Sequence, residues 1–203
     1  DRAIALKPDY AEAHNNRALV LQDLGQFEQA LISLDRAVAL QADNAWAHNN
    51  RGVVLNGLKR EDEALASHDK AVALKIDYAE AHYNRGIVLQ ELGRLDSALA
   101  SLDRAIACKP DYAAAHNNRG TLLLDLNRLD EALAAFDTAI ALTGGFAEAY
   151  LNKAIACCAW GSTKWVGACM SGAKRPKGPS VTVHFLSRSG WVGKTSPTRP
   201  CLF

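Results

Sequence analysis

Apolar and small residues recur through the first 160 residues at intervals of three and four, the spacing that places side chains on one face of a helix. The pattern repeats every 34 residues and restarts at five alanines: Ala11, Ala45, Ala79, Ala113 and Ala147. Counted from that alanine, the small or apolar residues occupy positions 8, 11 and 14, then positions 20, 24, 27, 28 and 30. Each unit is therefore predicted to form two helices joined by a short turn.

Breaks in the apolar pattern separate the predicted helices. Pro8 and Pro110 lie between units, where proline ends the preceding helix. Asp9 and Asp77 each precede a glutamate by three residues, so we expect both to cap the helix that follows them. Inside each unit the break contains glycine or asparagine in three of the four repeats, and both tolerate the left-handed conformation that ends a helix. The four turn residues are Gly25, Lys59, Gly93 and Asn127.

The period and its signature residues resemble those of the tetratricopeptide repeat (TPR) family. The signature is Gly or Ala at position 8, Ala at 20, a large residue at 24 and Ala at 27. In this chain these residues are Ala18, Ala30, Leu34 and Ala37; Gly52, Ala64, His68 and Ala71; Gly86, Ala98, Leu102 and Ala105; and Gly120, Ala132, Phe136 and Ala139. The resemblance implies an all-α fold, a right-handed α-solenoid of 34-residue helix-turn-helix repeats.

The same resemblance defines the domain organisation. It covers residues 1–160, with a partial repeat at each end of the array, and the remaining residues 161–203 form a basic tail rich in Gly and Pro. We expect the tail to be disordered or loosely packed. The four complete repeats span residues 11–44, 45–78, 79–112 and 113–146.

Charged residues recur at two positions of the repeat. Position 7 is basic in every unit, and position 25 is Asp in the four complete repeats. Because the two positions lie on the two helices of one unit, we expect an ion pair within each repeat, for example between Arg85 and Asp103. Binding of a ligand by the arginines is the alternative.

Histidine recurs at position 4, as His14, His48, His82 and His116. Equivalent positions of stacked helices lie about 8–10 Å apart, whereas a zinc–nitrogen bond measures about 2 Å. Neighbouring repeats therefore cannot share a metal ion, and we expect half-buried rings in place of the aromatic residue usual at this position. No metal or other cofactor is predicted.

Asparagine at position 6 is the candidate for function. Positions 2, 6, 9 and 13 share one stripe of the first helix, while positions 4, 8 and 11 face the partner helix. An amide both donates and accepts hydrogen bonds, so a row of amides is suited to hold the backbone of an extended peptide. The alternative is that each amide bonds a neighbouring helix and only holds the stack. The row consists of Asn16, Asn50, Asn84, Asn118 and Asn152.

A family resemblance favours the peptide-binding interpretation. The TPR superhelix of the protein O-linked N-acetylglucosamine transferases carries asparagine at this position as a peptide-binding ladder. Around the row we expect an acidic groove with an apolar floor, suited to neutral or basic extended segments. The further candidate binding residues are the position-5 residues Asn15, Asn49, Tyr83 and Asn117, and the groove residues Asp23, Trp46, Glu80, Glu91 and Asp125.

The charge distribution divides the chain at the same boundary. Residues 1–160 contain 22 acidic and 16 basic side chains, whereas residues 161–203 contain seven basic and none acidic. Weak binding of nucleic acid by the tail is one hypothesis. We favour the other, in which the tail lies against the acidic repeats and competes with ligands. Its Gly193-Lys194-Thr195 lacks the upstream glycine of a phosphate-binding loop, because Arg188 occupies that place.

The sequence thus predicts a protein–protein interaction scaffold rather than an enzyme, since no catalytic constellation is evident. The alternative is the substrate-recognition region of a larger bacterial glycosyltransferase whose catalytic domain is absent from this fragment. A third hypothesis is self-association through exposed solenoid ends. The five cysteines follow no disulfide spacing, and no membrane-spanning run or signal peptide is visible, so we expect a cytoplasmic location.

Overall fold

The computed structural model describes residues 2–157 of the chain. The predicted tail, 161–203, lies outside this part, as do the predictions made for it. The described residues contain helices and turns, which confirms the predicted all-α fold. Residues 147–157 are helical and are called α10 below. The preceding helices are α1 (Arg2–Leu6), α2 (Ala11–Asp23), α3 (Phe27–Leu40), α4 (Ala45–Gly57), α5 (Glu61–Leu74), α6 (Ala79–Glu91), α7 (Leu95–Cys108), α8 (Ala113–Asp125) and α9 (Leu129–Thr143).

The helices pack as successive hairpins. Each complete repeat pairs its own two helices, α2 with α3 through α8 with α9, and its second helix also packs against the first helix of the next repeat. First helices of neighbouring repeats also contact each other, α2 with α4 and α4 with α6, while consecutive second helices in residues 2–157 form no comparable contact. The first helices therefore line the inner side of the stack, and this arrangement is the predicted solenoid.

Small residues permit the close approach of the helices. The alanines at position 20 are fully buried. At position 8, a Cβ added to Gly120 would lie 2.5 Å from the Phe136 ring, and one added to Gly86 would lie 3.0 Å from Leu102. Each glycine is therefore matched to the large position-24 side chain of its own repeat, and the signature residues pack together within the hairpin.

The turns between the two helices confirm the left-handed conformation expected there. The backbone φ angles are +72° at Gly25, +59° at Lys59, +70° at Gly93 and +57° at Asn127. Lys59 adopts this conformation despite its Cβ, because the same hairpin geometry is imposed on every repeat.

The predicted capping by Asp9 and Asp77 is wrong. The residues that cap α2 and α6 are Tyr10 and Tyr78, one position later, and neither side chain accepts a hydrogen bond from a backbone amide of its helix. The aspartates therefore lie outside the helix, too early to reach its first amides. In repeat 2, Asn44 occupies the capping position, and its side chain accepts a hydrogen bond from the Ala47 amide at 3.1 Å.

The recurrent histidines, rather than the aspartates, stabilise the start of each first helix. Each Nε2 donates to the backbone carbonyl six residues earlier, at 2.9–3.0 Å, so the ring joins the helix to the segment that precedes it. In residues 2–157, no three or more His, Cys, Asp or Glu side chains are grouped to hold a metal ion. The four pairs are His14 with Pro8, His48 with Ala42, His82 with Ile76 and His116 with Pro110.

The predicted ion pair forms between repeats rather than within one. Arg85 Nε lies 2.6 Å from Asp69 of the preceding repeat, so the expected pair with Asp103 is wrong. Asp103 instead pairs with Arg119 at 2.6 Å. The reason is that each first helix packs between two second helices, and its Arg reaches the acid of the earlier one. Arg51 with Asp35 and Lys153 with Asp137 follow the same rule.

A second bond joins two of these arginines to their own repeat. Arg51 Nη1 donates to Ser67 at 2.8 Å, and Arg85 Nη1 donates to Ser101 at 2.5 Å. Both serines lie on the second helix of the arginine's own hairpin. These guanidinium groups therefore contact two second helices at once and fix the rotation of one hairpin on the next.

His68 is an exception within the core. It occupies position 24, where the other complete repeats have Leu or Phe, and its ring is 1% exposed. Neither ring nitrogen has a hydrogen-bond partner in the described chain. Burial lowers the pKa of His68 to about 4, with Arg85 acting in the same direction and Asp69 opposing it. The ring is therefore neutral at pH 7 and is packed as if it were apolar.

We expect the Arg85→Ala and Asp69→Ala substitutions to be coupled in a double-mutant cycle by about 0.5–1 kcal/mol, because the pair is partly solvent-exposed. The coupling is measured by urea unfolding. The matched cycle with Asp103→Ala in place of Asp69→Ala should give a value near zero. Equal coupling in the two cycles would contradict the assignment of the pair to neighbouring repeats.

We also expect the stability of repeat 2 to depend on pH through His68. Its folded-state pKa of about 4 lies below the ordinary value of 6.5, so the unfolded chain binds a proton first as the pH falls. The free energy of unfolding should decrease from about pH 6.5 to pH 4 by up to roughly 3 kcal/mol from this group alone.

The control for this prediction is His68→Leu, which introduces the residue found in repeats 1 and 3. The variant should be more stable at pH 7, by about 1–3 kcal/mol, since two buried polar atoms are removed. The difference in stability between variant and wild type should widen as the pH falls. A constant difference, measured by urea unfolding at pH 7, 5.5 and 4.5, would refute the prediction.

Candidate functional site

The position-6 asparagines join neighbouring repeats through their side chains. In each case the Nδ2 group donates to the position-5 side chain of the preceding repeat, at 3.0–3.1 Å. The sequence left open the alternative that these amides only hold neighbouring repeats together. In repeats 2 to 5, at least one N–H group of each side chain has this role. The four bonds are Asn50 to Asn15, Asn84 to Asn49, Asn118 to Tyr83 and Asn152 to Asn117.

The same amides remain partly accessible on the inner side of the stack. Asn50, Asn84, Asn118 and Asn152 are half-buried, and Asn16, in the first complete repeat, is exposed. An amide has two N–H donors and one carbonyl acceptor. The bond to the position-5 residue uses one N–H donor, and Asn152 also donates to Thr121 at 3.4 Å. Each side chain is therefore oriented while its carbonyl group can still accept a hydrogen bond.

The position-5 residues differ from the sequence expectation. Asn49 and Asn117 are only 5% and 1% exposed, so they do not line an open surface and are not candidates for direct contact with a ligand. Their carbonyl groups point along the stack and accept the amide of the next repeat, whose first helix covers them. Asn15 is half-buried and has the same role toward Asn50. These residues support the row of position-6 amides.

Trp46 is more accessible than Tyr83, the other aromatic residue among the predicted binding residues. Its side chain is 55% exposed. The ring centroid lies 5.9 Å from that of Tyr78, and Lys75 Nζ lies 4.7 Å from the Trp46 ring and 5.2 Å from the Tyr78 ring. The indole is therefore held in place by a tyrosine and a lysine of its own repeat.

Tyr83 lies at the joint between repeats 3 and 4. The ring is half-buried, and its centroid is 4.9 Å from that of Tyr112. Its hydroxyl accepts the Asn118 amide at 3.0 Å. Burial raises the pKa of the Tyr83 hydroxyl, with the Glu148 carboxylate adding to the effect and the Asn118 hydrogen bond opposing it. Position 5 is therefore a tyrosine in repeat 3, where the other complete repeats have asparagine, and its ring adds an aromatic surface there.

The predicted acidic residues of the groove are all exposed. Glu91 lies 3.9 Å from Lys59, and Asp125 accepts a hydrogen bond from Gln90 at 3.3 Å. These contacts are between side chains at the surface, so they leave the carboxylates accessible to water and to a ligand. The set comprises Asp23, Glu80, Glu91 and Asp125.

Sequence reasoning missed the tyrosines at position 34. Tyr10, Tyr78 and Tyr112 each lie beneath the ammonium group of the lysine three residues earlier, at 5.1–5.5 Å. The signal was available in the recurrence of Lys and Tyr at a fixed spacing in three units. Burial raises the pKa of Tyr112 to about 12, and Tyr83 and Glu80 contribute to the increase.

The helices of residues 2–157 are all too short or too polar to cross a bilayer. No curated protein matches the sequence.

Solved structures similar to this chain are TPR proteins or share their fold. The crystal structure of YrrB, described as a TPR protein with an unusual peptide-binding site, is 28% identical, with a TM-score of 0.65 over 76% of this chain and 80% of that one. TTC0263, a thermophilic TPR protein of Thermus thermophilus, is 27% identical, with a TM-score of 0.67 over 77% and 86%. The crystal structure of MamA is 25% identical, with a TM-score of 0.65 over 70% and 82%.

Family models lead to the same assignment. Two models described as tetratricopeptide repeat match the chain, one over residues 83–158 and the other over residues 9–77 and 43–111. The matches together extend from the first complete repeat into α10, the same segment in which the structure contains stacked hairpins. The chain therefore belongs to the tetratricopeptide repeat family.

Proposed function

We propose that the chain is a protein-interaction scaffold whose first helices bind an extended protein segment along the row of position-6 asparagines. The observation that supports this proposal is the state of those side chains. Each amide of repeats 2 to 5 is fixed by at least one hydrogen bond to the preceding repeat, yet is only half-buried. The row is therefore both ordered and accessible.

Fixing the amides in advance favours binding. A side chain that is already held in one rotamer loses little conformational entropy when a ligand arrives. The amide groups that remain complement the N–H and C=O of a peptide backbone without reading its side chains. Such contacts suit a segment of variable sequence that binds in an extended conformation.

The repeat spacing sets the length of the guest. Neighbouring helices lie about 8–10 Å apart, and an extended chain spans about 3.3–3.6 Å per residue. The interval between successive asparagines thus corresponds to about three guest residues, and the four intervals of the row correspond to a segment of about 12. The exposed carboxylates beside the row favour neutral or basic segments.

Similarity to YrrB also supports the proposal, since that protein is described as having a peptide-binding site. The alternative function, a substrate-recognition region of a glycosyltransferase, rests on the resemblance of the asparagine row and stays a prediction. Self-association through the ends of the stack and a cytoplasmic location are likewise predictions.

Two double variants distinguish a role of the asparagines in peptide binding from a role in holding neighbouring repeats together. Asn84→Ala/Asn152→Ala removes two amides of the row, whereas Asn49→Ala/Asn117→Ala removes their buried acceptors and breaks the same two bonds. We expect the first variant to bind uncharged 12-residue peptides at least about tenfold more weakly, since several hydrogen bonds of about 0.5–1.5 kcal/mol are lost. The second keeps both row amides but no longer fixes them, so it should lose less affinity than the first variant, up to about fivefold.

Affinity is measured on a peptide array and then by fluorescence anisotropy, with urea unfolding of each variant in parallel. The acceptor variant should lose at least as much stability as the row variant, because Asn49 and Asn117 are buried whereas Asn84 and Asn152 are only half-buried. Each variant also loses one further bond, from Asn117 to Glu148 or from Asn152 to Thr121. If peptide affinity instead follows stability in both variants, the asparagines only hold the stack. Absence of binding to every peptide by the wild type would contradict the proposed function itself.

A further inference from the structure

The side chain at position 2 is unusually small in repeat 4. The first helices carry Glu80, Ala114 and Glu148 at this position in repeats 3, 4 and 5. Both glutamates are exposed, and Ala114 between them is half-buried. The row of position-2 side chains therefore has a gap at Ala114, with one carboxylate on each side of it along the stack.

Two aromatic rings lie at the same joint. Tyr83 and Tyr112 pack with their centroids 4.9 Å apart and their planes inclined by 41°, and both are half-buried. Asn118 orients the Tyr83 hydroxyl at 3.0 Å. The pair therefore presents a fixed aromatic surface to the inner side of the stack, next to the amide of the repeat-4 asparagine.

The carboxylates act electrostatically on this aromatic pair. Burial is the main reason that the pKa values of Tyr83 and Tyr112 are raised, but Glu148 adds to the increase at Tyr83 and Glu80 adds to it at Tyr112. Glu148 is also oriented, because its Oε1 accepts the amide of the buried Asn117 at 3.3 Å. The joint combines negative potential with aromatic rings, which is the environment that attracts an ammonium or guanidinium group.

The chain itself provides a precedent for this chemistry. Lys109 Nζ lies 5.1 Å from the Tyr112 ring centroid, and Lys75 lies in the same way over Tyr78 and Trp46. Both joints therefore have a lysine of the chain over a tyrosine. They differ at position 2 of the earlier repeat, which is Trp46 in repeat 2 and Glu80 in repeat 3. The joint between repeats 3 and 4 differs, because both Glu80 and Glu148 act on its tyrosines, whereas Glu80 alone acts on Tyr78 at the joint between repeats 2 and 3.

We propose that the Tyr83–Tyr112 joint, formed by Glu80, Tyr83, Tyr112 and Glu148 around the gap at Ala114, binds one Lys or Arg side chain of the extended segment. This inference rests on the proposed function, since it supplies the side-chain specificity that the asparagine row lacks. The aliphatic part of the guest side chain fills the gap over Ala114, and its charged end lies between the two glutamates and the phenol rings.

The inference is tested with 12-residue peptides that are uncharged at every position except one central position, which is varied. The central residue is Lys, Arg, Gln or Glu, and binding is measured by fluorescence anisotropy at low salt. Wild type should bind the Lys and Arg peptides about 5–10-fold more tightly than the Gln peptide, with the Glu peptide weakest. The preference should decrease as the salt concentration rises.

Two variants and one control assign the preference to this joint. Glu80→Gln/Glu148→Gln keeps the acceptor for Asn117 and should reduce the preference for Lys and Arg to within about twofold, while affinity for the Gln peptide stays the same. Ala114→Lys places an ammonium group in the gap and should have the same effect. The control Asp96→Asn/Asp130→Asn removes two exposed carboxylates from second helices and should retain the preference.

The outcomes distinguish this inference from the proposed function. Equal binding of the Lys and Gln peptides by wild type overturns the inference and leaves the scaffold intact, as does a preference that survives the glutamate substitutions. A preference lost equally in the control would mean that net charge, and not this joint, is responsible. Failure of wild type to bind any of the peptides overturns both.

Discussion

Close contact between small and large residues inside each hairpin is the constraint on which the rest of the structure depends. Gly120 and Gly86 leave room for Phe136 and Leu102, and the fully buried alanines at position 20 let the two helices approach. Because every hairpin is closed in the same way, successive hairpins stack with nearly the same geometry. Residues at a given position then contact the same partner position in the neighbouring repeat, so one type of hydrogen bond recurs along the stack.

Two kinds of inter-repeat contact follow from this regular stacking. On the inner side, each position-6 amide from repeat 2 onward reaches the position-5 side chain of the preceding repeat. Elsewhere, each position-7 base from repeat 2 onward reaches the preceding position-25 aspartate. Polar contacts of this kind add little stability individually, but they require a defined rotation between hairpins. The proposed binding surface is ordered because the repeats are fixed relative to one another.

The features specific to this chain lie at positions where one repeat differs in sequence from the others. His68 places a histidine where Leu or Phe packs in the other complete repeats, and burial lowers the pKa of this ring to about 4. Tyr83 and Ala114 replace an asparagine and a larger residue on the inner side, at one joint. The regular positions are suited to hold a backbone of any sequence. The irregular ones are where discrimination between side chains is expected.

The sequence by itself determined the period, the helices and the left-handed turns at Gly25 and Asn127, because these depend on spacing within one hairpin. Only the tertiary structure decided that Arg85 meets Asp69 rather than Asp103, that Asn49 is buried, and that Asp9 lies outside the helix it was expected to cap. The physical reason is that every unit carries the same residues at the same positions. A repeating pattern is compatible both with contacts inside a unit and with contacts to the preceding unit. The rotation between hairpins decides which contact forms, and side-chain packing across the interface sets that rotation.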